Sequence, residues 1–292
     1  MSLVIRPIEQ VDAEICGRIG YEAHKTISSA HGYPSEQPSE EFAIGLLRRL
    51  LENPNSWGVL AERQGKTLGS VFLHEFPPSP VAVIGPLTVH PSAEGGGVGK
   101  MLIGAALSQA CKQNHDHVRL VQSPSHIRSF VLYTKSGFAL REPLFLLQGQ
   151  PLRSGIYTSS STNNVRQVRD DVDISVCNEL CKVVHGFSRD MELRQAKDQG
   201  VATMIERDGA ITGYAAGLGI FGHAVAKSNE DLKALIANAP AVLGPGFFAP
   251  ARNREIINWL LENGFQIGWP ANLMTIGPYK EPPMPFLPSL AY

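Results

Sequence analysis

Apolar and polar positions along this chain change period repeatedly, and they do so twice in the same order. The run VGKMLIGAALSQACKQN, starting at Val98, places Val98, Leu102, Ala105, Ala106 and Ala110 on one face, as an amphipathic helix does. Shorter apolar runs, SVFLHEF, VAVIGPLTV and HVRLVQS, read as strands. The first half gives a short strand, helices, a hairpin turning at Arg63-Gln64-Gly65, a third strand, a helix, another strand, a short helix and a last strand. The second half repeats that order, with its hairpin turning at Arg207-Asp208-Gly209. Strands outnumber helices and arrive partly as hairpins. This predicts an α+β fold of two mixed β-sheet domains with flanking helices, in tandem.

Residue identities support the repeat. IRPIEQVDAEIC (5–16) parallels VRQVRDDVDISVC (165–177), and AERQGKTLGSV (61–71) parallels IERDGAITGYA (205–215). HIRSFVLYTKSGF (126–138) aligns with NREIINWLLENGF (253–265), and both end in Gly-Phe. Three matches in one order point to duplication. The stretch GQPLRSGIYTSSSTNN separates the halves and reads as a linker. The expected organisation is a domain over 1–148, a linker over 149–163 and a second domain over 164–292. Pro278, Pro282, Pro283, Pro285 and Pro288 give the latter an irregular tail, with Phe286, Leu287 and Leu290 packing back on the body.

The totals narrow the choice of function. Of 292 residues 43% are hydrophobic and 18% charged, the latter below the usual ~25%, which suits well-filled cores. A net charge of −1 supplies no bulk field for nucleic acid or an anionic membrane. Four cysteines are too few for a disulfide scaffold, MSLVIRP lacks the apolar core of a signal peptide, and no apolar run approaches the ~18 residues of a membrane span. The expectation is a cytoplasmic monomer or homodimer.

The stretch PSAEGGGVGKML (91–102) carries the first chemical signal, because crowded glycines ahead of a helix suit a phosphate held by main-chain amides. A P-loop fits poorly, since its first glycine would fall at Glu94 and its magnesium-binding hydroxyl at Met101; a nucleotide hydrolase would require ATP or GTP binding with magnesium. The dinucleotide fingerprint closes in neither register: from Gly95 its last glycine would be Lys100, and from Gly97 it would be Leu102. What remains is a loop whose consecutive amides meet a pyrophosphate at a helix start. From Gly95 to Arg141 the chain holds six basic residues against one acid, Asp116, which suits a polyanionic ligand. The equivalent stretch from Gly222 to Gly268 has four of each, and HAVAKSNEDL replaces the glycine loop.

IGPLTVHPSAEGGGVGKMLIGAAL resembles motif A of the GNAT superfamily of acyl-CoA N-acyltransferases, a strand followed by Q/R-x-x-G-x-G/A and a helix. Gly97 and Gly99 fill the glycine positions, whereas Glu94 stands where the family usually has Gln or Arg. SHIRSFVLYTKSGF is similar to the later motif N-x-x-A-x-x-x-Y-x-K-x-G-F: His126 takes the Asn position, and Tyr133, Lys135, Gly137 and Phe138 match. The resemblance covers residues 3–148 and implies acetyl-CoA as cosubstrate, with Gly95, Gly96, Gly97, Val98, Gly99, Lys100, His126 and Lys135 around it. It also implies that the main chain at Leu87, Thr88 and Val89 meets the pantetheine arm and the thioester carbonyl. The second half, with Leu260 in place of Tyr133, reads as a degenerate copy.

The implied activity is acetyl transfer to an amine, small molecule or peptide, by direct attack in the N-terminal half. A primary amine of pKa ~10 is about one-thousandth neutral at pH 7, so the site needs a base or a desolvating pocket. The oxyanion needs amide donors; Gly85-Pro86 inside a strand implies a bulge or a broken ladder, and the resemblance implies that this break leaves the amides of Leu87 and Val89 free. Tyr133 is the candidate acid for the departing thiolate and Glu75 the candidate base, with His74, His90 and Ser123 as others. The polar loop over 24–38 is a candidate cover for the acceptor, Glu36 attracting a cation. No metal is expected, because Cys177, Cys181 and His185 share a helix face without a fourth ligand. The alternative is a non-catalytic CoA-binding sensor or interaction protein.

Overall fold

The computed structural model describes residues 2–150 and 164–290; the expected linker lies almost wholly outside them. The chain forms two compact units. One comprises Met1–Glu75, Val81–Leu140 and Met274–Pro278, and the other Phe76–Pro80, Arg141–Leu273 and Tyr279–Tyr292.

The elements of the first half are β1 (Val4–Pro7), α1 (Ala13–Ala30), α2 (Glu40–Glu52), β2 (Ser56–Arg63), β3 (Lys66–Glu75), β4 (Val81–Val89), α3 (Val98–Lys112), β5 (His117–Gln122), α4 (Ile127–Lys135) and β6 (Ala139–Gln148). Those of the second half are β7 (Asn164–Gln167), α5 (Asp171–His185), α6 (Asp190–Asp198), β8 (Ala202–Arg207), β9 (Ala210–Ala216), β10 (Leu218–Gly219), β11 (Ala224–Ala226), α7 (Asn229–Ala237), β12 (Val242–Leu243), β13 (Phe247–Pro250), α8 (Arg254–Glu262), β14 (Gln266–Ile276) and β15 (Phe286–Leu287).

In the first unit the strand order is β1-β2-β3-β4-β5, with the end of β14 beside β5. Strands β1 to β4 are antiparallel, and β5 runs parallel to β4. One face packs on α3 through Val98, Leu102, Ile103, Ala106 and Ala110, joined by Val71, Leu73, Ile84, Tyr133 and Met274. The other packs on α1 and α2 through Ala13, Cys16, Leu47, Leu60 and Phe72. The second unit holds β14-β6-β13, a separate sheet ordered β15-β11-β9-β8-β7, and the short parallel pair β10-β12. Phe286 and Leu287 of the proline-rich tail are buried there and pair with β11, while Leu290 is half-buried.

The duplication is visible in detail. Gln64 and Gly65 at one hairpin and Asp208 and Gly209 at the other all have positive φ, the primed turn that matches strand twist. Each hairpin has a register shift at the same place, beside Glu62 or Glu206. Each half also opens on one forked ion pair. Arg6 donates to Asp12 at 2.7 and 2.8 Å, and Arg166 to Asp173 at 2.6 and 2.7 Å, and both carboxylates accept a backbone N–H as well. Among the described residues no helix is long and apolar enough to cross a membrane.

Candidate active site

Strands β4 and β5 pair only from Val81 to Val83, against His117 to Arg119, although β4 runs on to Val89 and β5 to Gln122. Beyond that point the sheet carries a gap. Its β4 edge is shaped by Gly85-Pro86. Val71 opposes Leu87 and Leu73 opposes Ile84, so Phe72 faces two residues of β4, a bulge where the sequence implied one. The amide of His90 donates to the carbonyl of Leu68 at 2.8 Å, which makes 68 and 90 a hydrogen-bonded pair. Alternation along an antiparallel ladder then turns Thr88 toward β3, and the N–H groups of Leu87 and Val89 away from it, into the gap.

His74 fixes the bulge. Its Nε2 donates to the carbonyl oxygen of Gly85, and its Nδ1 accepts from the Ser56 hydroxyl at 2.8 Å. Burial pushes its pKa down, against the pull of that carbonyl, so the ring is neutral and its tautomer is set by the two partners.

The glycine loop lies at the C-terminal end of β4. Gly95 (φ 79°) and Gly97 (φ 83°) are left-handed, Gly95 to Gly97 are exposed, and a Cβ on Gly95 or Gly97 would meet nothing within 4 Å. Gly97 is the N-cap of α3, which has no side-chain cap and no acid in its first turn. The first intrahelical bond runs from Met101 N to Gly97 O at 3.1 Å, so the amides of Val98, Gly99 and Lys100 have no partner within the helix. Lys100 is exposed in the first turn, where the dipole disfavours a cation unless an anion shares the site. Gly99 has a packing reason instead, because a Cβ there would stand 3.2 Å from Leu132 of α4.

The second half closes the same position with its own side chains. Ser228 caps α7 by accepting from Asp231 N at 3.1 Å, Glu230 and Asp231 occupy the first turn, and buried Asp231 is bonded to Arg207. An anion would meet two carboxylates there.

Glu94, the departure from the motif, accepts from Arg128 of α4 at 2.7 Å. Its charge is thereby answered, and the exposed Arg128 stands beside the glycine loop. His126 is the N-cap residue of α4, and burial lowers its pKa against the opposing pull of Glu94. Tyr133 is buried in the α3-side core, edge-on to Phe138, and burial pushes its phenol up to about 12.

Two expected residues are not brought here. Glu75 pairs in register with Ala82, some seven residues from Val89, or ~23 Å along the strand, and its carboxylate lies 3.6 Å from His115. Lys135 is exposed in the last turn of α4, ~13 Å along the axis from His126, where a cation suits the helix dipole.

On the opposite face of β4 the loop between α1 and α2 meets the strand ends. Glu36 lies 3.2 Å from His24 Nδ1 of α1. Burial raises its pKa, but the bond and charge of His24 and the Ser123 hydroxyl after β5 outweigh that and hold the carboxyl below its usual range. Gln37 is buried, and its Oε1 has no hydrogen-bond partner. His24 and Gln37 escaped the sequence reading, since a lone histidine on a helix and a lone loop glutamine carry no spacing signal. Cys177 and Cys181 are buried on α5, His185 packs edge-on against Phe286, and among the described residues no cluster of three or more His, Cys, Asp or Glu is arranged for a metal.

Residues 22–138 match the model of the acetyltransferase (GNAT) family. No curated protein matches the sequence. Among solved structures, the chain is similar to a candidate acetyltransferase from Pyrococcus horikoshii, with TM-score 0.71 and 17% identity over 99% of this chain and 95% of that one. It is similar to a GCN5-related N-acetyltransferase from Sphaerobacter thermophilus, with TM-score 0.64 and 14% identity over 96% and 97%. A tandem GNAT protein of the clavulanic acid biosynthesis pathway gives TM-score 0.56 and 18% identity over 96% and 100%. At these identities the likeness establishes the fold, an α+β arrangement shared with a tandem protein.

Proposed function

We propose, from the premise that residues 22–138 are a GNAT acetyltransferase domain, that this chain transfers an acetyl group from acetyl-CoA to an amine in the gap between β4 and β5. The observation that carries the reading is the pairing of two unsatisfied backbone features. The uncapped N-terminus of α3 offers successive amides to a diphosphate, and the amides of Leu87 and Val89 face the gap into which an acyl-pantetheine arm would lead.

When bound, acetyl-CoA supplies an activated acyl carbon. The neutral amine nitrogen attacks that carbon, a C–N bond forms, and the carbonyl oxygen gains charge that the Leu87 and Val89 amides are placed to receive. Collapse breaks the C–S bond; the ammonium proton leaves the nitrogen and the thiolate takes up a proton. Tyr133, with a phenol near 12, stays protonated throughout and serves as a hydrogen-bond donor to the leaving sulfur. Full transfer to a thiolate of pKa ~8.5 would run uphill by some ~3.5 units, so the proton the thiol keeps is drawn from solvent or from the amine.

Titration of the purified protein with acetyl-CoA, followed by thiol release on adding amines, tests the proposal. Saturable binding with amine-dependent thiol release supports it. Binding without release by any amine supports the sensor alternative, and no binding refutes both.

A further inference from the structure

Gln37 is the most conspicuous unsatisfied group near the gap. The residue is 5% exposed, yet its Oε1 accepts from nothing. A buried orphan acceptor costs ~1–3 kcal/mol, so its retention calls for a ligand that donates to it. Its surroundings say where that ligand sits. A Cβ built on Gly20 of α1 would stand 3.6 Å from Thr88 Cγ2 and 3.7 Å from Gln37 Oε1, so the carboxamide shares one small volume with the β4 residue between Leu87 and Val89. Glu36, next in the chain, points to the end of β5, with His24 and Ser123 around its carboxylate.

These two groups ask for different things. The attacking nitrogen must be neutral, so it is matched by a neutral acceptor such as a carboxamide oxygen. A carboxylate kept ionised is a poor base and a good partner for a charge that persists through the reaction. His24, 3.2 Å away, occupies one side of the Glu36 carboxylate. Of the other basic groups in the neighbourhood, His126 is pushed toward its neutral form and Arg128 is already engaged by Glu94, which leaves room for one more cation.

We infer that Glu36 and Gln37 form the acceptor subsite, and that the acceptor is a small amine carrying a second cationic group that stays protonated through the reaction. Gln37 Oε1 accepts from the reacting amino group, and the Glu36 carboxylate pairs with the second cation. This inference rests on the acetyl transfer proposed above.

Three four-carbon probes separate the possibilities: 1,4-diaminobutane, butylamine and 4-aminobutanoate. The intact protein should show a kcat/KM for the diamine about tenfold above that for butylamine, with 4-aminobutanoate lowest, the size of one partly buried charge pair. Glu36→Gln should collapse the diamine-to-butylamine ratio toward one while retaining acetyl-CoA affinity. Gln37→Leu should lower kcat/KM for every amine and leave the ratio in place. Calorimetric titration of 1,4-diaminobutane into the protein saturated with CoA gives a readout independent of turnover, and its Kd should weaken about tenfold in Glu36→Gln. Equal kcat/KM for diamine and butylamine, a ratio unchanged in Glu36→Gln, or an equal loss for all three probes in that variant overturns the subsite while leaving acetyl transfer standing. Failure of the intact protein to bind acetyl-CoA overturns both.

Discussion

Replacing Gly97 by alanine separates the backbone geometry of the glycine loop from its contacts. At φ 83° an L-residue pays the left-handed penalty of ~1–2 kcal/mol, and because the new Cβ meets nothing within 4 Å no steric cost is added. Gly65, at the β2–β3 turn, provides a matched control: φ is 73° and a Cβ there also meets nothing within 4 Å. Both variants should therefore fold, with melting points lowered alike by ~2–4 °C. They should part company on ligand. At Gly97 the methyl projects from an exposed loop beside the amides of Val98, Gly99 and Lys100. Displacing a diphosphate from one charge-assisted hydrogen bond forfeits ~1.5–3 kcal/mol, or ~10- to 150-fold in affinity. Isothermal titration with acetyl-CoA should show that loss for Gly97→Ala and none for Gly65→Ala. Native affinity in Gly97→Ala, or an equal loss in both, would refute the placement of the diphosphate.

Tyr133→Phe should reduce kcat by ~10- to 150-fold, the loss of one hydrogen bond to a developing thiolate, with acetyl-CoA affinity kept. In the intact enzyme the pH profile of kcat/KM should rise as the amine deprotonates, with no fall below pH ~10, since the phenol titrates near 12. Asp12 and Asp173 are held below the usual carboxylate range, chiefly by their hydrogen bonds to Arg6 and Arg166. A depressed carboxyl stabilises the fold above its unfolded pKa of ~3.9 and loses that contribution as pH falls through the folded value, so urea midpoints should drop below pH ~4, and less steeply in the Asp12→Asn, Asp173→Asn double variant. Ser228→Ala should cost ~1 kcal/mol in chemical denaturation by uncapping α7, while the acetyl-CoA isotherm stays superimposable on that of the parent.

What the sequence carried was local. The primed turns at Gln64-Gly65 and Asp208-Gly209, the interruption of β4 at Gly85-Pro86 and the amphipathic face of α3 all follow from backbone rules acting over a few residues. What it did not carry was pairing across distance. Glu75 looked like a base because it ends a strand, but antiparallel register puts it at the far end of β4 from the glycine loop. Glu94 looked like a defect because Arg128, which answers it, lies 34 positions along the chain. Gln37 gave no signal at all, since its significance is a missing partner, and a missing partner can be recognised only in three dimensions.

The exchange of strand ends between the halves bears on how such a chain arose and how it can be divided. The first unit borders β5 with Met274–Ile276, whereas most of the strand that follows α4 belongs to the second unit. A gene fragment ending after residue 150 would therefore encode every group of the proposed acetyl-transfer cleft and still leave β5 with a raw, aggregation-prone flank and Met274 absent from the core. Even without a glycine loop of its own, the second copy is not dispensable, because the end of its β14 is a structural part of the unit that carries that loop.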